Sequence, residues 1–158
     1  IGIELVNLGH QFGYQNFTKK QLKSLITICL FLIKKYKIKS KNIIGHSDIA
    51  PLRKEDPGEK FPWQNLSKKK IGIWHNINSK KLLKYRNQLL SVSDKQIFVK
   101  NLYKIGYQKK FRFGENKYLK NVTIAFQRRF RQELINGIID LECLNISKNL
   151  LKNIKKLS

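Results

Sequence analysis

The hydrophobic period of this chain changes along its length. Residues Ile1-Gly2-Ile3-Glu4-Leu5-Val6-Asn7 alternate with period two, so Ile1, Ile3 and Leu5 share one face and Glu4 points to the other. A carboxylate inside an apolar strand is costly unless it is paired, solvated or functional. From Thr18 the period becomes helical. Thr18 and Gln21 form a capping box, with Phe17 and Leu22 as its staple. Leu22, Leu25, Ile26, Cys29, Ile33 and Tyr36 then make an amphipathic stripe, broadened by Ile28, Phe31 and Leu32. The apolar run Ile43-Ile44 leads into Gly45-His46 and a polar loop closed by Phe61-Pro62-Trp63. The order strand, helix, strand predicts an α/β arrangement, in which ligands favour loops at the carboxyl ends of strands.

Beyond residue 90 only the helical period remains. Ser93 and Gln96 fit a second capping box, on a helix running through Phe98, Leu102 and Ile105 to a stop at Gly106. Tyr118, Val122, Ala125, Phe126 and Phe130 mark a second helix. Asn136-Gly137 marks a turn, and Asp140 is placed to cap a third helix through Leu144, Leu151 and Ile154. The expected organisation is an α/β domain over 1–78, a basic linker over 79–89 and a small all-α domain over 90–158.

Composition excludes several classes. At 41% hydrophobic residues the chain has enough apolar surface for a core. The longest apolar run, Leu25 to Ile33, is about half of the roughly 20 residues a membrane span requires. Two cysteines, Cys29 and Cys143, make neither a disulfide framework nor a CxxC metal site. The net charge of +23 invites a nucleic-acid reading, but 27 of the 33 basic residues are Lys and six are Arg. Base readers favour Arg for its bidentate fork. The excess is also spread evenly, +9 over residues 1–78 and +14 over 79–158. The expectation is no nucleic-acid partner; an anionic polymer or a membrane surface suits the charge better. Arg128, Arg129 and Arg131 read equally as a solvated basic helix face or as ligand-contacting residues, and Tyr107, Phe126 and Phe130 read as core.

Of three histidines, His46 lies in the Pro/Gly-rich loop with acidic neighbours, and His46 and Asp56 are spaced to reach one Zn²⁺. Spacing alone leaves a surface histidine among solvated acids as the alternative. A catalytic zinc takes about three protein ligands, and the chain offers no obvious third. His10 sits in a loop, and His75 reads as a surface residue.

The loop Gly45-His46-Ser47-Asp48-Ile49-Ala50-Pro51-Leu52-Arg53-Lys54-Glu55-Asp56-Pro57-Gly58, followed by Phe61-Pro62-Trp63, resembles the GHSDIAPxRKxDPGxxFPW signature of zinc-dependent N-acetylmuramoyl-L-alanine amidases of the second amidase family. Ile1-Gly2-Ile3-Glu4-Leu5 is similar to that family's IGIE strand, and the likeness extends over roughly residues 1–74. Gly106-Tyr107, Ala125-Phe126-Gln127 and Gly137-Ile138-Ile139-Asp140 are similar to the three-helix peptidoglycan-binding domain often fused behind such amidases. The resemblance implies a mixed-sheet amidase domain, truncated at its N-terminus, ahead of the helical domain. It implies Zn²⁺ held by His46 and Asp56, with a third ligand, a His, upstream of residue 1. Glu4 would handle the proton of the attacking water and Lys54 would face the oxyanion. The bond cut would join N-acetylmuramic acid to L-alanine in peptidoglycan or muropeptides. The expected setting is the periplasm or cell envelope, with the cytoplasm as alternative, and the expected state is a monomer. A non-catalytic peptidoglycan-binding fragment is the alternative function, with a basic nucleic-acid-binding protein as the third.

Overall fold

The computed structural model describes residues 1–107 and 115–156. Helix α1 spans Lys19–Tyr36 and carries the predicted box: Thr18 Oγ1 accepts from the Gln21 amide at 3.2 Å, and Gln21 Oε1 accepts from the Thr18 amide at 2.9 Å. It stops where Lys37 turns left-handed. Leu25 and Cys29 are its buried residues, while Ile28 and Phe31 face outward, so one stripe rather than several is packed. A one-turn helix α2, His46–Ile49, and a short helix α3, Trp63–Ser67, bracket the polar loop. Leu25, Cys29, Phe61, Trp63, Leu66 and Ile71 form one apolar cluster, with Leu5 and Phe17 packed at its edge.

Helix α4, Ser79–Tyr85, is followed by α5, Val92–Ile105, α6, Glu115–Phe130, and α7, Leu141–Lys156. Phe98 and Leu102 of α5, Phe126 and Phe130 of α6, and Leu144 and Leu150 of α7 build a second, larger cluster. Phe98 packs edge-on to Phe126 at 5.2 Å between ring centroids, a favoured aromatic geometry. Tyr107 is buried in the same cluster. The second helix of this half is stopped by residues that need no sheet: Gly106 caps α5 at φ 125°, and Asp140 Oδ1 accepts from the Cys143 amide at 2.9 Å to start α7. Leu82 of α4 is buried against this cluster, and Trp74 touches both clusters.

The α/β expectation is overturned. Among the described residues every regular element is helical, and β pairing is limited to an isolated antiparallel bridge between Leu89 and Asp140. Neither Ile1–Asn7 nor Ile43-Ile44 belongs to a strand, so the described residues form no mixed sheet. The physical reason is that a strand exists only through its partner: alternation sets which side chains share a face, not what the backbone pairs with. Here the first segment is held by side chains instead. Gln21 Nε2 donates to the Val6 carbonyl at 2.7 Å, and Asn7 Oδ1 accepts from the Gly9 amide at 3.1 Å. Ile1 and Val6 remain exposed.

Candidate active site

The loop between α2 and α3 folds back on itself. The Ser47 amide donates to the Asp56 carbonyl at 2.9 Å, which brings His46 beside Asp56 across nine intervening residues. His46 Nδ1 and Asp56 Oδ2 are 3.1 Å apart, and both side chains are partly open to solvent. Gly45 is required at the turn, because a Cβ there would stand 2.8 Å from Pro57 Cδ. Gly58 is required twice over: its φ is +78°, and a Cβ would meet the Tyr14 hydroxyl at 2.4 Å.

Tyr14 braces the far end of the loop. Its hydroxyl donates to the Pro57 carbonyl at 2.6 Å and accepts from the Lys60 amide at 2.9 Å. Burial pushes the phenol up to about 12, so it stays a neutral donor. His10 is occupied elsewhere. Its Nδ1 faces Glu55 at 3.2 Å and its Nε2 faces Glu59 at 3.0 Å, and the ring lies against Tyr14. Those carboxylates are on opposite edges of the imidazole, so the three groups do not converge on one point.

Glu4, His46, Lys54 and Asp56 all line one cleft of about 1080 Å³, with Tyr14 and Phe61 in its wall. Of the four residues singled out in the sequence, His46 and Asp56 are in contact; Glu4 and Lys54 share the cleft. Zinc's preferences can be tested against the contacting pair. Two donors each about 2.0–2.1 Å from a tetrahedral zinc lie about 3.3 Å apart. The 3.1 Å separation of an imidazole nitrogen and a carboxylate oxygen is close to that. The pair therefore fits two positions of a zinc site. No group of three or more His, Cys, Asp or Glu side chains able to hold a metal occurs among the described residues.

Further residues complete the surroundings. Asp48, two positions after His46 in the same motif, is buried and accepts hydrogen bonds from the Gly45 amide at 2.8 Å and the Tyr107 hydroxyl at 2.7 Å. Arg129 forms an ion pair with the same carboxylate. It is 4% exposed, so it does not belong to a solvated helix face; Arg131 is buried as well, at 1%. Arg128 reaches Glu55 at 2.8 Å. His75 is half-buried rather than a free surface residue: it stacks on Trp74 at 4.9 Å, and its Nε2 lies 3.3 Å from the Phe130 carbonyl. Tyr107, Phe126 and Phe130 are core.

The cleft and its loop carry the sequence of a known hydrolase class. Residues 1–59 match the family model described as N-acetylmuramoyl-L-alanine amidase. The match takes in the first 59 of the chain's 158 residues, the cleft and its loop among them. Over 157 residues, 96% of the chain is 34% identical to N-acetylmuramoyl-L-alanine amidase AmiD of Escherichia coli K12, spanning 56% of that protein. A solved complex of AmiD from E. coli with the substrate anhydro-N-acetylmuramic acid-L-Ala-D-gamma-Glu-L-Lys superposes with a TM-score of 0.76, covering 89% of this chain and 55% of that one. AmpDh3 from Pseudomonas aeruginosa, solved in complex with anhydromuramic pentapeptide, superposes with a TM-score of 0.73 at 28% identity, covering 93% and 57%. The chain thus spans little more than half the length of the relatives it matches.

Proposed function

We propose that this chain carries the metal-ligand loop and cleft of a zinc-dependent N-acetylmuramoyl-L-alanine amidase. The substrate would be peptidoglycan or a muropeptide, of the kind seen bound to the AmiD and AmpDh3 relatives. The observation that carries the reading is the His46–Asp56 pair at 3.1 Å, opening into a cleft that Glu4 and Lys54 also line.

His46 and Asp56 would hold Zn²⁺, which supplies Lewis acidity at the scissile carbonyl and acidifies water. Glu4 accepts a proton from the attacking water and passes it to the departing L-alanine amine, the work of a general base and then acid. Lys54 sets its ammonium against the negative charge that develops on the carbonyl oxygen. The loop positions His46, Lys54 and Asp56 because its two ends are tied together through Ser47 and Asp56, and its far side through Tyr14. Residues 1–78 would act as the amidase part and 90–158 as the part that engages the wall polymer, with 79–89 joining them. No helix of the described residues is long and apolar enough to cross a membrane. Polymeric substrate places the protein in the periplasm or cell envelope; soluble muropeptide would place it in the cytoplasm.

The test is release of free stem peptide from purified sacculi and from anhydro-muropeptide, with and without chelator. The expected result is cleavage that a chelator abolishes and added Zn²⁺ restores. Binding to sacculi with no release under any metal condition would leave a peptidoglycan-binding protein and refute the amidase reading.

A further inference from the structure

We infer that Arg129 and Tyr107, both from the helical half, are positioning residues for His46, acting through the buried carboxylate of Asp48. His46's role as a ligand rests on the function proposed above; the clamp itself is measurable without metal.

Asp48 is 6% exposed, and a buried carboxylate must find hydrogen-bond donors. Its own turn supplies one, the Gly45 amide. The others come from 59 and 81 residues further along the chain, Tyr107 Oη at 2.7 Å and Arg129 Nη1. Arg129 does more than neutralise Asp48. Its guanidinium carbon sits over the Trp63 ring, 4.1 Å from the centroid, and its Nη2 donates to the Ile43 carbonyl at 2.9 Å. Gly72 leaves room for this contact: a Cβ there would stand 3.0 Å from Trp63 and 3.3 Å from Arg129 Nη2.

One rigid, planar group therefore bonds to residues 43 and 48, on either side of His46. Between those points the Gly45 amide is tied to Asp48 and the Ser47 amide to Asp56. The imidazole is left with little backbone freedom, and its direction toward Asp56 follows from where Arg129 holds the turn. A buried ion pair adds little to stability compared with an apolar pair of the same size, whereas a two-bonded guanidinium packed over a ring fixes direction. The helical half is in this sense part of the site's scaffold.

The experiment uses the whole chain with Tyr107→Phe, Arg129→Lys and Arg129→Met. Amide hydrogen exchange is read at residues 44–50 and, as reference, in α7, and Zn²⁺ affinity is titrated with Zn²⁺ alone. Tyr107→Phe and Arg129→Lys should speed exchange at 44–50 by about tenfold or more, the scale of one lost hydrogen bond to a charged group, with α7 unchanged. Zn²⁺ affinity should fall in the same order, with Arg129→Met worst and Arg129→Lys recovering part of the loss. Should Arg129→Met fail to fold, Tyr107→Phe, which removes one oxygen atom, carries the test. Unchanged exchange at 44–50 in the folded variants would overturn the proposal, as would equal acceleration in α7 or a loosened turn with undiminished Zn²⁺ affinity. A wild-type chain that takes up no Zn²⁺ while exchange at 44–50 responds as expected would refute the metal reading and support the clamp.

Discussion

Replacing Arg131 by Met should be among the most damaging single changes in the helical half. The guanidinium is 1% exposed and makes four kinds of contact. Its Nε donates to the Leu134 carbonyl at 2.9 Å and its Nη2 to Asn136 Oδ1 at 3.0 Å; its Nη1 pairs with Asp140 and, at 3.5 Å, with Glu142. Met fills the volume and restores none of these. Glu142 keeps its two bonds from Arg86, each 2.8 Å. Among the described residues Asp140 has no second ion-pair partner: it keeps the Cys143 amide at 2.9 Å and the Asn87 amide at 3.1 Å. Removing one partner of a buried ion pair costs about 3–5 kcal/mol. The two remaining amide donors place the expected loss near the lower end, about 3 kcal/mol, or on the order of 6–12 °C in Tm for a chain of this size. Urea unfolding followed by far-UV circular dichroism measures it, with an unchanged m-value as the check on two-state behaviour. The companion variant is decisive. Adding Asp140→Asn removes the unbalanced charge yet keeps an oxygen to cap α7, so the double variant should regain most of the loss. A loss below about 1 kcal/mol for Arg131→Met, or no recovery in the double variant, would refute the charge-balance reasoning.

His46→Ala should abolish Zn²⁺ uptake and turnover together, read by elemental analysis beside the peptide-release assay. Glu4→Gln should keep the metal and lose most of the rate, because it removes a proton carrier and no ligand. Lys54→Ala should also keep the metal and slow release on the order of 10²–10³-fold, as loss of an oxyanion donor does. Burial lowers the pKa of His75. Its unfolded state therefore takes up a proton at a pH where the folded state does not, and stability falls as pH drops below about 6.5 until the folded value is reached. His75→Gln should flatten that part of the stability–pH curve in equilibrium unfolding; an unchanged slope would exclude His75 as its source.

Local signals in the sequence located α1, α5, α6 and α7, because caps and stops are made by residues a few positions apart; the short helices α2, α3 and α4 were missed, α4 lying in the segment read as a linker. Thr18 and Gln21 open α1, and Gly106 closes α5. The start of α5 shows the limit of that logic: Ser93-x-x-Gln96 fits the box pattern, but Ser91, whose Oγ accepts from the Asp94 amide at 3.1 Å, takes the cap two residues earlier. Ser-x-x-acid and Ser-x-x-amide were both available, and the pattern cannot rank them. The strand expectation failed for a different reason. Period two describes one chain, while a sheet needs two, and no described segment pairs with Ile1–Asn7. At the site, His46 and Asp56 were legible because one loop carries both. Asp48, Tyr107 and Arg129 were not, since 59 and 81 residues separate the partners. Arg129 sits beside Arg128 in a chain of net charge +23, where one more cation looks like surface. What would have flagged it is the buried carboxylate it serves, and burial of Asp48 is a tertiary fact.

The two cysteines have a practical consequence. Cys29 lies in one apolar cluster and Cys143 in the other, and both thiols are buried. Burial raises both pKa values, that of Cys143 to about 12, so neither offers appreciable thiolate at neutral pH. Lodged in separate cores, they are also kept from one another and from reagents in solution. A cysteine introduced at an exposed position, Lys69 for instance, would then be the one fast-reacting thiol among the described residues. Fluorophores or spin labels could be attached there without first stripping either native sulfur from the protein.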